Sequence, residues 1–182
     1  MTRSRLVPGC SRADFVTAAA EVGWTLLEAR GGGGDSRSFA LMFEASSRTY
    51  VSWVELNEMP RMPFVELDGD DPSDELFEEI VEATCALDDS KLLQLPELAQ
   101  DDEVAALSLF ALGVGAPEER DAAFDRLLLE GLRSDAAVVR RGALLGLRYV
   151  SWRCGQELLE ALASSDDHEE NRNLARRVLA RY

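Results

Sequence analysis

Lysine, histidine and cysteine are scarce in this 182-residue chain, and each scarcity narrows what the protein can be. Lys91 stands alone against eighteen arginines, a skew that codon usage in a GC-rich genome produces without any function. The single histidine, His168, lies in the acidic turn SSDDHEEN and reads as a solvated residue opening the last helix. A Ser-His-Asp or Cys-His site would have to be built on that one base, and no nucleophile-elbow phrase accompanies it. The three cysteines, Cys10, Cys85 and Cys154, are odd in number and far apart, so they form neither a disulfide framework nor a close metal-ligand pair. Cys85 and Cys154 are expected to be small helix-face residues.

Long apolar runs are also missing: none approaches the ~18 residues that a membrane span requires. The start of the chain, MTRSRLVPGCSRADF, has no apolar core of a signal peptide, so a cytoplasmic location is expected. The tetraglycine at 31–34 is not followed by the Lys-Ser/Thr of a phosphate-binding loop. No cofactor or metal is expected. An apolar fraction of 46% is nevertheless ordinary for a folded globule.

The charge that is present is acidic and unevenly placed. Of the formal net charge of −15, the stretch 71–134 carries −13, with seventeen carboxylates against four cations, while 135–182 is near neutral. A field of that sign disfavours nucleic acid and favours a cationic partner, although acidic helix faces also serve solubility alone.

Residues 1–90 are expected to form an α+β domain. Phe15, Ala18, Ala19 and Val22 recur at helical spacing and Gly23 ends the helix. Strands are predicted over 24–29, around the alternating Phe39, Leu41 and Phe43, and over 49–56, where Val51 and Trp53 alternate with Tyr50 and Ser52. A fourth at 62–67 is restricted by Pro60 and Pro63 to a sheet edge or to a start after the second proline. The sheet therefore has three or four antiparallel strands. In DGDDPSDELFEEIVEA, Asp71 suits an N-cap and Pro72 the first helical position. The carboxylates Asp68, Asp70, Asp71 and Asp74 do not make a calcium loop, because Ser73 stands where glycine and Pro72 where an oxygen ligand is needed. This order of elements, over residues 11–86, resembles the small type III secretion chaperone-like domains, and the resemblance implies protein binding.

Residues 91–182 are expected to be all-α. Leu92, Leu93, Leu95 and Leu98 surround Pro96 in a connector, after which Asp101 and Asp102 cap a helix ended by Gly113, Gly115 and Pro117. A return helix is predicted over 118–132, a second hairpin capped by Asp135, a return over 155–164 and a last helix over 168–181. One phrase recurs through this half: VAALSLFAL at 104–112, VRRGALLGL at 139–147 and NRNLARRVL at 171–179. A period of that length marks stacked helix pairs, with Gly142, Ala143 and Gly146 allowing close approach. The segment SDAAVVRRGALLGL, with Asp135, Val139, Arg140, Ala143 and Leu147, resembles the HEAT repeat. That resemblance covers residues 101–182, with Ala105 standing where the first repeat would carry arginine and Asn171 where the third would be apolar. An irregular helical bundle is the alternative.

The resemblance implies a non-catalytic interaction module or adaptor that grips a protein through the solenoid groove or the interdomain junction. An immunity-type inhibitor of a basic toxin is a second reading, and a HEAT-like enzyme or ligand carrier a third, since some HEAT-like proteins are DNA glycosylases or bilin lyases. Partner-binding candidates are Trp152, Tyr149, Arg140 and Arg148, with Glu118 and Asp121 at the acidic start of the return helix. Trp53 and Tyr182 are further aromatic anchors if they are exposed, and Arg140, Arg141, Arg148 and Arg153 could form a local basic strip. Nucleic acid and membrane are not expected as partners.

Overall fold

In a computed structural model, residues 2–7, 10–31, 38–46, 48–56, 59–69, 79, 82 and 86–182 are described, with backbone alone for 2–6, 38, 56 and 59–62. The chain divides into two compact units, Met1–Asp88 and Asp89–Tyr182.

Among the described residues, the first unit has a five-stranded antiparallel sheet with the helix Arg12–Glu21 packed on one face. Its elements are β1 (Thr2–Leu6), α1 (Arg12–Glu21), β2 (Thr25–Arg30), β3 (Ser38–Ser46), β4 (Thr49–Leu56) and β5 (Met59–Gly69), with spatial order β1-β5-β4-β3-β2. The sequence reading missed β1, whose residues TRSRL carry no strand-like apolar alternation and are held by pairing with β5 from Thr2↔Asp68 to Leu6↔Phe64. That pairing puts β5 inside the sheet, and β5 starts at Met59, ahead of both prolines, so neither the expected edge position nor the expected start after Pro63 holds. Its prolines are accommodated locally: between Val54↔Phe64 and Leu56↔Met59 the register with β4 shifts, so Pro60 and Pro63 stand where the ladder is interrupted.

The register sets Leu41, Trp53 and Val65 in one cross-strand row and Phe43, Val51 and Leu67 in the next. Both rows are buried beneath Phe15 and Ala19 of α1. The Phe15 ring lies 5.2 Å from that of Trp53 and 5.5 Å, edge-on, from that of Phe43. Ser11 and Asp14 close a reciprocal capping box at the start of α1. Next to it, Arg12 pairs with Glu55 at 2.8 Å and lies 3.6 Å over the Phe39 ring, and the Trp53 indole N–H donates to the same carboxylate. Trp53 is thus a core residue and not an anchor. The expected helix start at Asp71 and Pro72, the aspartates 70, 71 and 74, Cys85 and Gly32 to Gly34 lie outside the described residues.

The second unit contains α2 (Asp89–Gln94), α3 (Asp102–Val114), α4 (Ala122–Leu132), α5 (Ala137–Leu147), α6 (Gln156–Ser165) and α7 (Glu169–Leu179). Asp101 caps α3, accepting the Val104 N–H at 2.8 Å. Helices α3, α5 and α7 pack side by side, α4 lies against α3 and α5, and α6 lies against α7 and α4. The α3–α5 crossing depends on missing side chains. A Cβ at Gly142 would lie 2.2 Å from the Ala106 carbonyl oxygen, and one at Gly113 would lie 2.3 Å from the Gly146 backbone. From Ala106 to Val114, α3 is buried apart from half-buried Leu107, and Leu144, Leu145 and Leu147 of α5 are buried with it.

Three local features of the helical unit differ from what its sequence predicts. The return helix begins at Ala122 and not at 118, because Asp121 is its cap. Asp135 does not cap α5: the N-cap is Ala136, and the Ser134 hydroxyl accepts the Ala136 N–H. Cys154 is buried in the loop between α5 and α6, not on a helix face.

Candidate binding site on the helical unit

Helix α4 divides its residues by turn geometry. Phe124, Leu127, Leu128 and Leu132 face inward and are buried. Ala122, Arg126, Leu129, Glu130 and Arg133 lie on the other side and, with Arg120 and Asp125, line an open cleft of about 450 Å³. Arg126 and Arg133 are seven residues apart, two helical turns or roughly 10 Å along the axis. Among the described residues neither guanidinium has an ion pair or side-chain hydrogen bond, and both are exposed. Leu129 sits between them, half-buried, with its Cδ2 only 2.6 Å from where a Cβ at Gly155 would be. Gly155 itself has a φ of +64°, so it serves both the left-handed turn and the close approach.

One end of the cleft is stiffened by a polar cluster on Asp125. The buried Asp125 carboxylate accepts the Trp152 indole N–H and the Arg120 Nε–H, both at 2.6 Å. Burial pushes this carboxyl upward, but the donors from Trp152 and Arg120 outweigh it and hold the group below the ordinary aspartate range. The neighbouring Cys154 thiol is pushed up to about 12 by burial first and then by the Asp125 carboxylate, which leaves it a protonated, weakly nucleophilic group. The Tyr182 hydroxyl accepts the Cys154 N–H at 3.2 Å.

A second cluster centres on Asp166, whose side chain is fully buried. Arg140 reaches it with Nε at 2.7 Å and also donates to the carbonyls of Ser134 and Asp135. The His168 N–H and the Asn171 side-chain amide complete the shell, and Asn171 donates to the Ala137 carbonyl as well. Burial raises the Asp166 carboxyl, and these donors, led by Arg140, bring it below the ordinary value. A smaller hollow of about 280 Å³ opens beside it, between Ser134, Arg140, Leu162 and Asp167.

The expected partner-binding residues therefore separate. Arg140 is held within the fold. Asp121 is the α4 cap, accepting the N–H groups of Ala123 and Phe124. Glu118 is exposed, and its carbonyl takes the Ser151 hydroxyl. Trp152 is half-buried on Asp125, and the half-buried Tyr149 stacks edge-on against Phe110 at 5.7 Å. Arg148 is half-buried. The expected basic strip is likewise broken up, because Arg141 pairs with Glu170 and Arg153 donates to the Tyr182 carbonyl. The reading from sequence passed over Arg126 and Arg133, whose seven-residue spacing on one α4 stripe was a usable signal. It also missed Asp125 and Asp166, for which no local signal exists.

Among the described residues no helix is long and apolar enough to cross a membrane, and no group of three or more His, Cys, Asp or Glu is placed to hold a metal ion. Comparisons with known protein families, with curated proteins and with solved structures find no match.

Proposed function

We propose that the chain is a non-catalytic protein-binding module, with a HEAT-like helical unit that receives its partner on the outer side of α4. The observation that carries this is the open cleft in which Leu129 is flanked by Arg126 and Arg133, two cations that have no partner among the described residues. An apolar centre with a charged rim is the usual make-up of a protein-binding surface. The alternation of α3, α5 and α7 with α4 and α6 supports the repeat reading, and the Trp152–Asp125 bond supplies a rigid wall.

A second reading, an inhibitor of a basic protein, is favoured by a different surface. Glu97, Leu98, Asp101, Asp102, Glu103 and Val104 are all exposed, with Leu98 at 69% and Val104 at 41%. Acidic residues interleaved with exposed apolar ones suit a cationic, amphipathic partner.

Affinity capture from the source organism, followed by titration of the captured protein, separates the two. Arg126→Glu with Arg133→Glu should abolish binding if the cleft is used, and Asp102→Lys with Glu103→Lys should leave it intact. The reverse pattern, with affinity falling steeply as salt rises, assigns the partner to the acidic surface. A chain that captures no saturable partner is not a binding module of this kind.

A further inference from the structure

Strand β2 forms one edge of the sheet, and unlike the interior strands it has no buried residue. Leu26 and Leu27 are 51% and 47% exposed, and Val16 and Val22 of α1, which packs on the same sheet, are each 38% exposed. Four of the six exposed large apolar side chains among the described residues thus fall between 16 and 27. An open edge strand with apolar side chains is a template for a further strand.

The charges on β2 indicate which strand. Glu28 and Arg30 lie two residues apart, hence on one face, and form an exposed ion pair at 2.7 Å. In an antiparallel pair centred on Ala29, Glu28 stands opposite Arg30 of the partner subunit, and Arg30 opposite Glu28 of the partner subunit. The four charges then alternate in sign around a square, so the strand is complementary to itself. We propose that β2 pairs with β2 of a second copy of this chain about a two-fold axis at Ala29, joining the two sheets into one of ten strands.

The register shift between Leu26 and Glu28 limits the regular ladder to Glu28–Arg30, with the exposed Leu26 and Leu27 flanking it as apolar cover. So short a ladder makes the association weak and dependent on concentration. It stands independently of the function proposed for the helical unit.

Sedimentation equilibrium across a concentration series tests it on the full chain. The wild type should pass from monomer toward dimer, less readily at high salt. Glu28→Arg places four cations together and Arg30→Glu four anions, so each should remain monomeric. The double variant Glu28→Arg/Arg30→Glu restores the alternation and should dimerise again. Both positions are substantially exposed, so circular dichroism should confirm unchanged folding in all three. A wild type that is monomeric throughout overturns the proposal. So does a dimer indifferent to the single reversals, or a double variant that fails to recover.

Discussion

Arg140 on α5 and Asp166 in the turn before α7 are 26 residues apart in sequence, yet their Nε and Oδ2 atoms lie 2.7 Å apart with 12% and 0% of the side chains exposed. Such a pair is costly to desolvate and more costly to break, because the surviving charge stays buried. Arg140→Met should therefore lower stability by about 3 kcal/mol, read as a drop in the urea midpoint followed by far-ultraviolet circular dichroism. An unchanged midpoint would mean that the ion pair contributes nothing to holding α5 against the α7 end.

The α3–α5 crossing leaves less tolerance still. Because a Cβ at Gly142 would sit 2.2 Å from the Ala106 carbonyl oxygen, even Gly142→Ala should destabilise, by about 1 to 3 kcal/mol, despite alanine's better helix propensity. A melting temperature equal to or above that of the wild type would contradict the close crossing.

The depressed carboxyls of Asp125 and Asp166 give the helical unit a defined acid sensitivity. A group whose folded pKa lies below its unfolded one stabilises fully above the unfolded value, about 4 for aspartate, and loses that contribution as pH falls through the folded value. Stability should thus be flat from neutrality to about pH 5 and then decline. In Asp166→Asn the protein should be weaker at pH 7 and its acid decline shallower, as measured by urea midpoints at stepped pH. Parallel pH profiles for the two proteins would rule out Asp166 as a source of the decline.

Glu66 on β5 works in the opposite direction. Burial, aided by the negative charge of Asp68, raises its pKa, so keeping it ionised costs the fold stability above the folded pKa. Glu66→Gln should raise the melting temperature at pH 7, and the gain should vanish below the unfolded glutamate value of about 4. A gain of equal size at pH 3 would point to a cause other than ionisation.

Much of the local structure was legible in the chain. The Asp101 cap, the helical spacing of Phe15 and Ala19, and the alternation of Leu41, Phe43, Val51 and Trp53 are signals between residues near in sequence, and each corresponds to an observed element. β1 was not legible, since its strand state comes from pairing with a segment some sixty residues away. Nor was the interior place of β5, because proline restricts a strand only at the positions where a ladder bond is required. For the candidate site, the seven-residue spacing of Arg126 and Arg133 could be read directly. That Arg140 is occupied while those two have no partner among the described residues could not, since every arginine looks alike until its neighbours are known.

Composition and periodicity alone determined the α+β half, the helical half and the glycines that permit close helix crossing, because these depend on backbone preference and on contacts within a turn or a strand. Tertiary structure decided which carboxylates are buried, which arginines are neutralised and which strand is left at the edge. Those outcomes depend on charges and edges brought together across tens of residues, where only the packed geometry sets the distance over which the forces act.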